Sequence, residues 1–150
     1  MADAKGTGPG STGSTSSTRS TRSGPGIVLV ALYGLLALAA TGRSVLQISE
    51  YFSRAPLAYV LSALAAVIYV VATVALARGG RTSRRVALAA ISTELAGVLL
   101  VGLASYVFPD AFPDKTVWSH FGSGYGFVPL VLPVLGLWWL RRTADRDQSR

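Results

Sequence analysis

Glu94 is the one charged residue in the otherwise apolar run from Val86 to Phe108. A carboxyl in such a stretch has few chemical uses: it can carry a proton or cement neighbouring helices through a hydrogen bond. If the run is a membrane helix, Glu94 lies about 12 Å from its nearer end at roughly 1.5 Å per residue. An ionised, unpaired carboxylate at that depth costs several kcal/mol, so the residue is expected to be neutral and turned toward protein. At helical spacing its neighbours are Ala90, Thr93, Gly97 and Ala104. This is a face of small residues, the kind that lets membrane helices approach closely.

A partner for Glu94 follows from hairpin symmetry. The apolar run from Pro56 to Ala77 is joined to the Glu94 run by the connector 78–85, so the two are expected to be antiparallel neighbours. Tyr69 is as far from the connector end of its run as Glu94 is from the same end of its own. The matched depths predict a hydrogen bond between the Tyr69 hydroxyl and Glu94, with Thr73 one turn nearer the connector. A second candidate is the carbonyl of Pro129, which Pro133 deprives of its helical donor and to which a protonated Glu94 could donate. Either arrangement suits a proton-coupled site or a neutral carboxyl that only holds the bundle together.

Arg43, Gln47, Glu50 and Arg54 form a second set. Their spacing places all four on one face if the first helix continues past Ile48. They are expected to form an outer polar stripe with internal ion pairs; the alternative is a mouth leading toward Glu94. Asp110, Asp114 and His120 share one loop, but their spacing is too loose to define a metal site, and no metal or cofactor is expected. Gly124-Tyr125-Gly126 has the form of a potassium-filter triplet, yet the last apolar run needs these residues to cross a bilayer. They are expected instead at the outer end of a kinked helix carrying Pro129 and Pro133. The sequence has no phosphate-binding loop, nucleophile elbow or HExxH, and without cysteine it has no thiolate chemistry. An enzyme is not expected.

The elements that position these residues are set by composition. Of 150 residues, 51% are hydrophobic and only 14% charged, too apolar for an ordinary soluble domain. Four spans are expected, at about 27–48, 56–77, 86–108 and 121–140. The last contains an apolar run of only fourteen residues, Phe127 to Leu140, and must recruit Phe121 to Gly126 to cross about 30 Å. The fold class is thus all-α, a four-helix transmembrane bundle over 27–142. It is preceded by a disordered Gly/Ser/Thr-rich tail, 1–26, and followed by a short tail, 143–150.

Charge supplies orientation. The net charge of +7 would suggest nucleic acid in a soluble protein, but most of the cations flank apolar runs, so a nucleic-acid partner is not expected. Eleven of the fourteen lie in the N-terminal tail, in 78–85 and from Arg141 onward; the other three, Arg43, Arg54 and Lys115, are offset by Glu50, Asp110 and Asp114. The bias predicts a multi-pass cell-membrane protein with both termini cytoplasmic. The partner expected first is the bilayer itself, with anionic headgroups near Arg78–Arg85.

The stretches Gly42-Arg-Ser-Val-Leu-Gln-Ile48, Ala55-Pro-Leu-Ala-Tyr59, Glu94-Leu-Ala-Gly97 and Trp118 to Pro133 carry a resemblance. Across 27–142 the chain resembles a family of small uncharacterised actinobacterial integral membrane proteins. The resemblance implies four spans and no particular activity. Two functions are then expected. One is a non-enzymatic scaffold or accessory subunit, working with a membrane-protein partner. The other is a small oligomeric proton-linked transporter using Glu94.

Overall fold

A computed structural model describes residues 24–148 of the chain. Most of the tail expected to be disordered, residues 1–23, lies outside the described residues, as do 149–150. The described chain is all-helical. Its long helices are α1 (Gly24–Tyr51), α2 (Pro56–Arg78), α3 (Arg81–Val107) and α4 (Val128–Gln148). Between α3 and α4 lie a 3-10 turn, Pro109–Ala111, and an irregular helical segment, Ser119–Tyr125. The helices pack in chain order, α1 on α2, α2 on α3 and α3 on α4, with Ser119–Tyr125 seated against α3.

The bundle has the polarity of a membrane protein. Its outer surface is aliphatic, with Leu35, Leu38 and Leu100 between 64% and 76% exposed, while the fully buried side chains include Tyr33, Tyr59, Tyr69, Ser62, Ser105 and Glu94. Water would penalise that arrangement and hydrocarbon tolerates it. Helices α1, α2 and α3 are each long and apolar enough to cross a bilayer.

The span expected over 121–140 is not one kinked helix. Helix α4 begins at Val128, and the segment Ser119–Tyr125 meets it at a bend of 98°. Backbone chemistry explains the break. His120, Phe121 and Gly122 are left-handed, with φ of 53°, 59° and 79°, and Gly126 and Phe127 are left-handed again, both with φ of 61°. No right-handed helix passes through such residues. From Val128 to Leu140 the apolar part of α4 is only about 20 Å long. The chain before it packs on α3: the Phe121 ring lies on Gly102 and the Trp118 ring on Gly97.

Other boundaries shift for local reasons. Helix α1 starts three residues before the expected span, with Pro25 in its first turn, where a missing N–H costs nothing. The connector between α2 and α3 is only Gly79-Gly80, whose φ of 67° and 90° suit glycine, so Arg81 to Arg85 belong to the first turns of α3. Helix α4 runs on into the expected C-terminal tail. Just before that tail the Arg142 guanidinium lies 4.3 Å from the centre of the Trp138 ring, and at its start the Thr143 hydroxyl donates to the carbonyls of Trp139 and Leu140.

Candidate functional site

Helix α3 buries one stripe, Ala87, Ala90, Ile91, Glu94, Val98 and Val101, at the three- and four-residue steps of a helix face. That periodicity carries Glu94 to the centre of the bundle, where it has no solvent exposure. Helix α1 buries Leu29, Tyr33, Leu36, Ala37 and Ala40 by the same rule. The two stripes meet at a hydrogen bond in which the Tyr33 hydroxyl donates to Glu94 Oε2 at 2.7 Å. The other carboxyl oxygen, Oε1, is buried and has no partner. From α4, Gly136 comes close enough that a methyl in its place would lie 3.6 Å from the Tyr33 hydroxyl oxygen.

The donor is therefore Tyr33, not Tyr69. The Tyr69 hydroxyl instead accepts from the indole N–H of Trp118 at 3.1 Å, and the Thr73 hydroxyl donates to the carbonyl of Tyr69 at 2.6 Å. Tyr69 remains in the same cluster, its ring centre 6.3 Å from that of Tyr33. Nor does Glu94 donate to the carbonyl of Pro129, since its one hydrogen bond is to Tyr33. Hairpin symmetry looked only at the neighbouring helix and missed the competitor one helix away. A signal was present: Tyr33 is the only tyrosine in the apolar run of α1. Among the described residues no cation pairs with Glu94. A carboxyl with one hydroxyl donor, one orphan oxygen and no countercharge can hold a proton or anchor the helices that surround it.

Trp118 is 2% exposed and belongs to the core of the bundle. The preceding turn delivers it there: the Thr116 hydroxyl oxygen accepts the N–H groups of Trp118 and Ser119 at 3.0 and 2.9 Å, while Ser119 Oγ accepts the Thr116 N–H at 2.9 Å. This reciprocal arrangement satisfies backbone donors that a bilayer leaves without water. The ring then covers Gly97, where a methyl would lie only 2.7 Å from it. The left-handed stretch that follows is held by Ser105, whose hydroxyl accepts the His120 N–H at 2.8 Å and donates to the carbonyl of Gly102 at 2.8 Å. The three nearby glycines do not share one role. Gly122 is crowded by the Pro129 ring, whereas Gly124 and Gly126 face open space.

The expected outer stripe divides. Helix α1 ends at Tyr51, so Arg54 lies in the following turn, its N–H bonded to the carbonyl of Tyr51 at 2.9 Å. Arg43, Gln47 and Arg54 line a pocket of about 380 Å³ with Tyr59, Asp114 and Lys115, and Glu50 stays outside it, exposed. Arg43 Nη2 donates to the carbonyl of Lys115 at 2.7 Å, and Arg54 Nε stands 3.5 Å from Asp114 Oδ1. The Tyr59 hydroxyl donates to Asp114 Oδ2. Asp114 is thus committed to Tyr59 and Arg54, while His120 sets its ring edge-on to Tyr106 at 4.6 Å. Asp110, Asp114 and His120 do not converge, and among the described residues no three His, Asp or Glu side chains are placed to hold a metal. Against known proteins, no family model, curated sequence or solved structure matches this chain.

Proposed function

We propose that this multi-pass membrane protein is a non-enzymatic scaffold or accessory subunit whose termini both face the cytoplasm. The observation that carries the reading is where concavity and polarity lie. Two polar pairs of the core, Tyr33–Glu94 and Tyr69–Trp118, are bonded inside the bundle, whereas a groove of about 640 Å³ between α1 and α2 opens outward with apolar walls. Thr41, Ser44, Ala63 and Ala66 line it, small residues that admit the backbone of another membrane helix, and the Ser44 hydroxyl is buried there without a partner. A transporter of polar solutes needs the reverse, polar groups on an open cavity. Capture of the intact protein from its native membrane is expected to bring a second membrane protein in fixed ratio, lost on Ala66→Phe. Recovery as an isolated homo-oligomer would count against this reading. The orientation rests on the cation split; a reporter at Arg81 should read cytoplasmic and one at Asp114 external.

A second reading, proton-linked transport, is favoured by the orphan Glu94 Oε1. Glu94→Gln keeps shape and hydrogen bonding while removing titration. The accessory role predicts that the variant complements a deletion; a proton-coupling role predicts that it does not.

A further inference from the structure

The outer end of the bundle is balanced in charge, with Arg43, Arg54 and Lys115 against Glu50, Asp110 and Asp114. The pocket at that end is not. All three cations line it, and of the three acids only Asp114 does. The cations come from three separate pieces of chain: α1, the turn after it, and the segment leading to Trp118. Tertiary structure alone gathers them.

Asp114 has little left to neutralise them with, because its two oxygens already meet Arg54 and the Tyr59 hydroxyl. Arg54 Nε stands 3.5 Å from Asp114 Oδ1 and Arg43 is anchored by Nη2 to the Lys115 carbonyl, and each five-donor guanidinium has further N–H groups to offer a ligand. Arg43 is half-buried and already oriented by the Lys115 carbonyl, so less side-chain freedom is lost when it binds. Gln47 adds a further mark: its amide oxygen is buried without a donor. A half-turn of the amide would present the Nε2 hydrogens in its place, as an anion in the pocket requires. The pocket volume, about 380 Å³, exceeds that of a phosphate group and leaves room for an ester substituent.

The geometry points to a phosphate-binding site formed by Arg43, Arg54 and Lys115 at the end of the bundle opposite Arg81–Arg85. Guanidinium forks match phosphate oxygens in pairs, which is why two arginines and a lysine suit this anion. The phosphate can be carried by an anionic lipid headgroup, whose plane the pocket shares at the outer end of α1, or by a soluble phosphate. The proposal stands apart from the accessory and transport readings and needs neither.

Hydrogen exchange of the full-length protein in maltoside micelles tests the site locally. Bound phosphate ties Lys115 and Arg54 together and is expected to slow exchange at 114–118. Short-chain phosphatidylglycerol and inorganic phosphate are titrated separately, with short-chain diacylglycerol as the phosphate-free control. Protection by phosphatidylglycerol alone identifies a lipid headgroup; protection by inorganic phosphate identifies a soluble ligand. Arg54→Gln and Lys115→Gln, both exposed positions, should each raise the half-protecting concentration about fivefold. Arg85→Gln at the opposite end should leave it unchanged. The site is overturned if neither phosphate compound protects 114–118, if diacylglycerol protects equally, or if the two variants leave the titration where it was.

Discussion

Two carboxyl–tyrosine pairs sit in different solvents within this one bundle. Glu94 accepts from Tyr33 with no solvent exposure and no cation, and Asp114 accepts from Tyr59 with its side chain 24% exposed and Arg54 beside it. The bond chemistry is the same and its consequences differ. At Asp114 water and a guanidinium can take over if the tyrosine is lost. At Glu94 nothing can, so the core pair commits α1 and α3 to one arrangement. The pair at the rim only fastens a loop.

Trp118 follows Asp114 by four residues and donates to Tyr69, whose ring packs beside Tyr33, and its removal should have the largest effect. Trp118→Ala is expected to destabilise the protein by about 3–5 kcal/mol, through the cavity left over Gly97 and the lost donor to Tyr69. The complementary variant, Gly97→Val, pushes a side chain into the same ring and should be comparably harmful. Unfolding in mixed micelles with increasing SDS measures both. A Trp118→Ala protein as stable as wild type would mean that the ring seals nothing.

The direct comparison comes next. Tyr33→Phe leaves both Glu94 oxygens without a donor and should cost about 1–3 kcal/mol. Tyr59→Phe should cost about 1 kcal/mol or less, because Asp114 keeps Arg54 and water. In a Glu94→Leu background the Tyr33→Phe penalty should shrink, which ties it to the pair. Equal costs for the two phenylalanine variants would remove the distinction between core and rim.

The smallest effect is expected at Arg54. Its side chain is 66% exposed and 3.5 Å from Asp114, a geometry worth about 0–1 kcal/mol and screened by salt. Arg54→Gln should therefore change stability slightly at low ionic strength and not at all at high. A salt-independent loss would place Arg54 in a drier setting than the rim.

The residues by themselves determined a good deal. Three largely apolar stretches long enough to cross a bilayer, one carrying Arg43 and another Glu94, and the shorter Phe127–Leu140 run are local facts of composition, and bilayer thickness converts them into helices. The energetic cost of a lone acid in hydrocarbon already turned Glu94 inward. What only the tertiary structure decided is who meets whom. Tyr33 and Tyr69 are both buried tyrosines on apolar helices; which hydroxyl reaches Glu94 depends on how α1, α2 and α3 rotate against one another, a quantity no spacing along one helix contains. The same holds for Trp118, whose burial depends on a glycine twenty-one residues earlier leaving its ring a place to lie. The left-handed turn at His120–Gly122 was equally hidden, because only one of its three residues is glycine. Its φ values are sustained by Ser105, a contact across fifteen residues of sequence. Hydropathy acts residue by residue on the chain, whereas packing is settled jointly by every face at once, and the identity of the Glu94 partner belongs to packing.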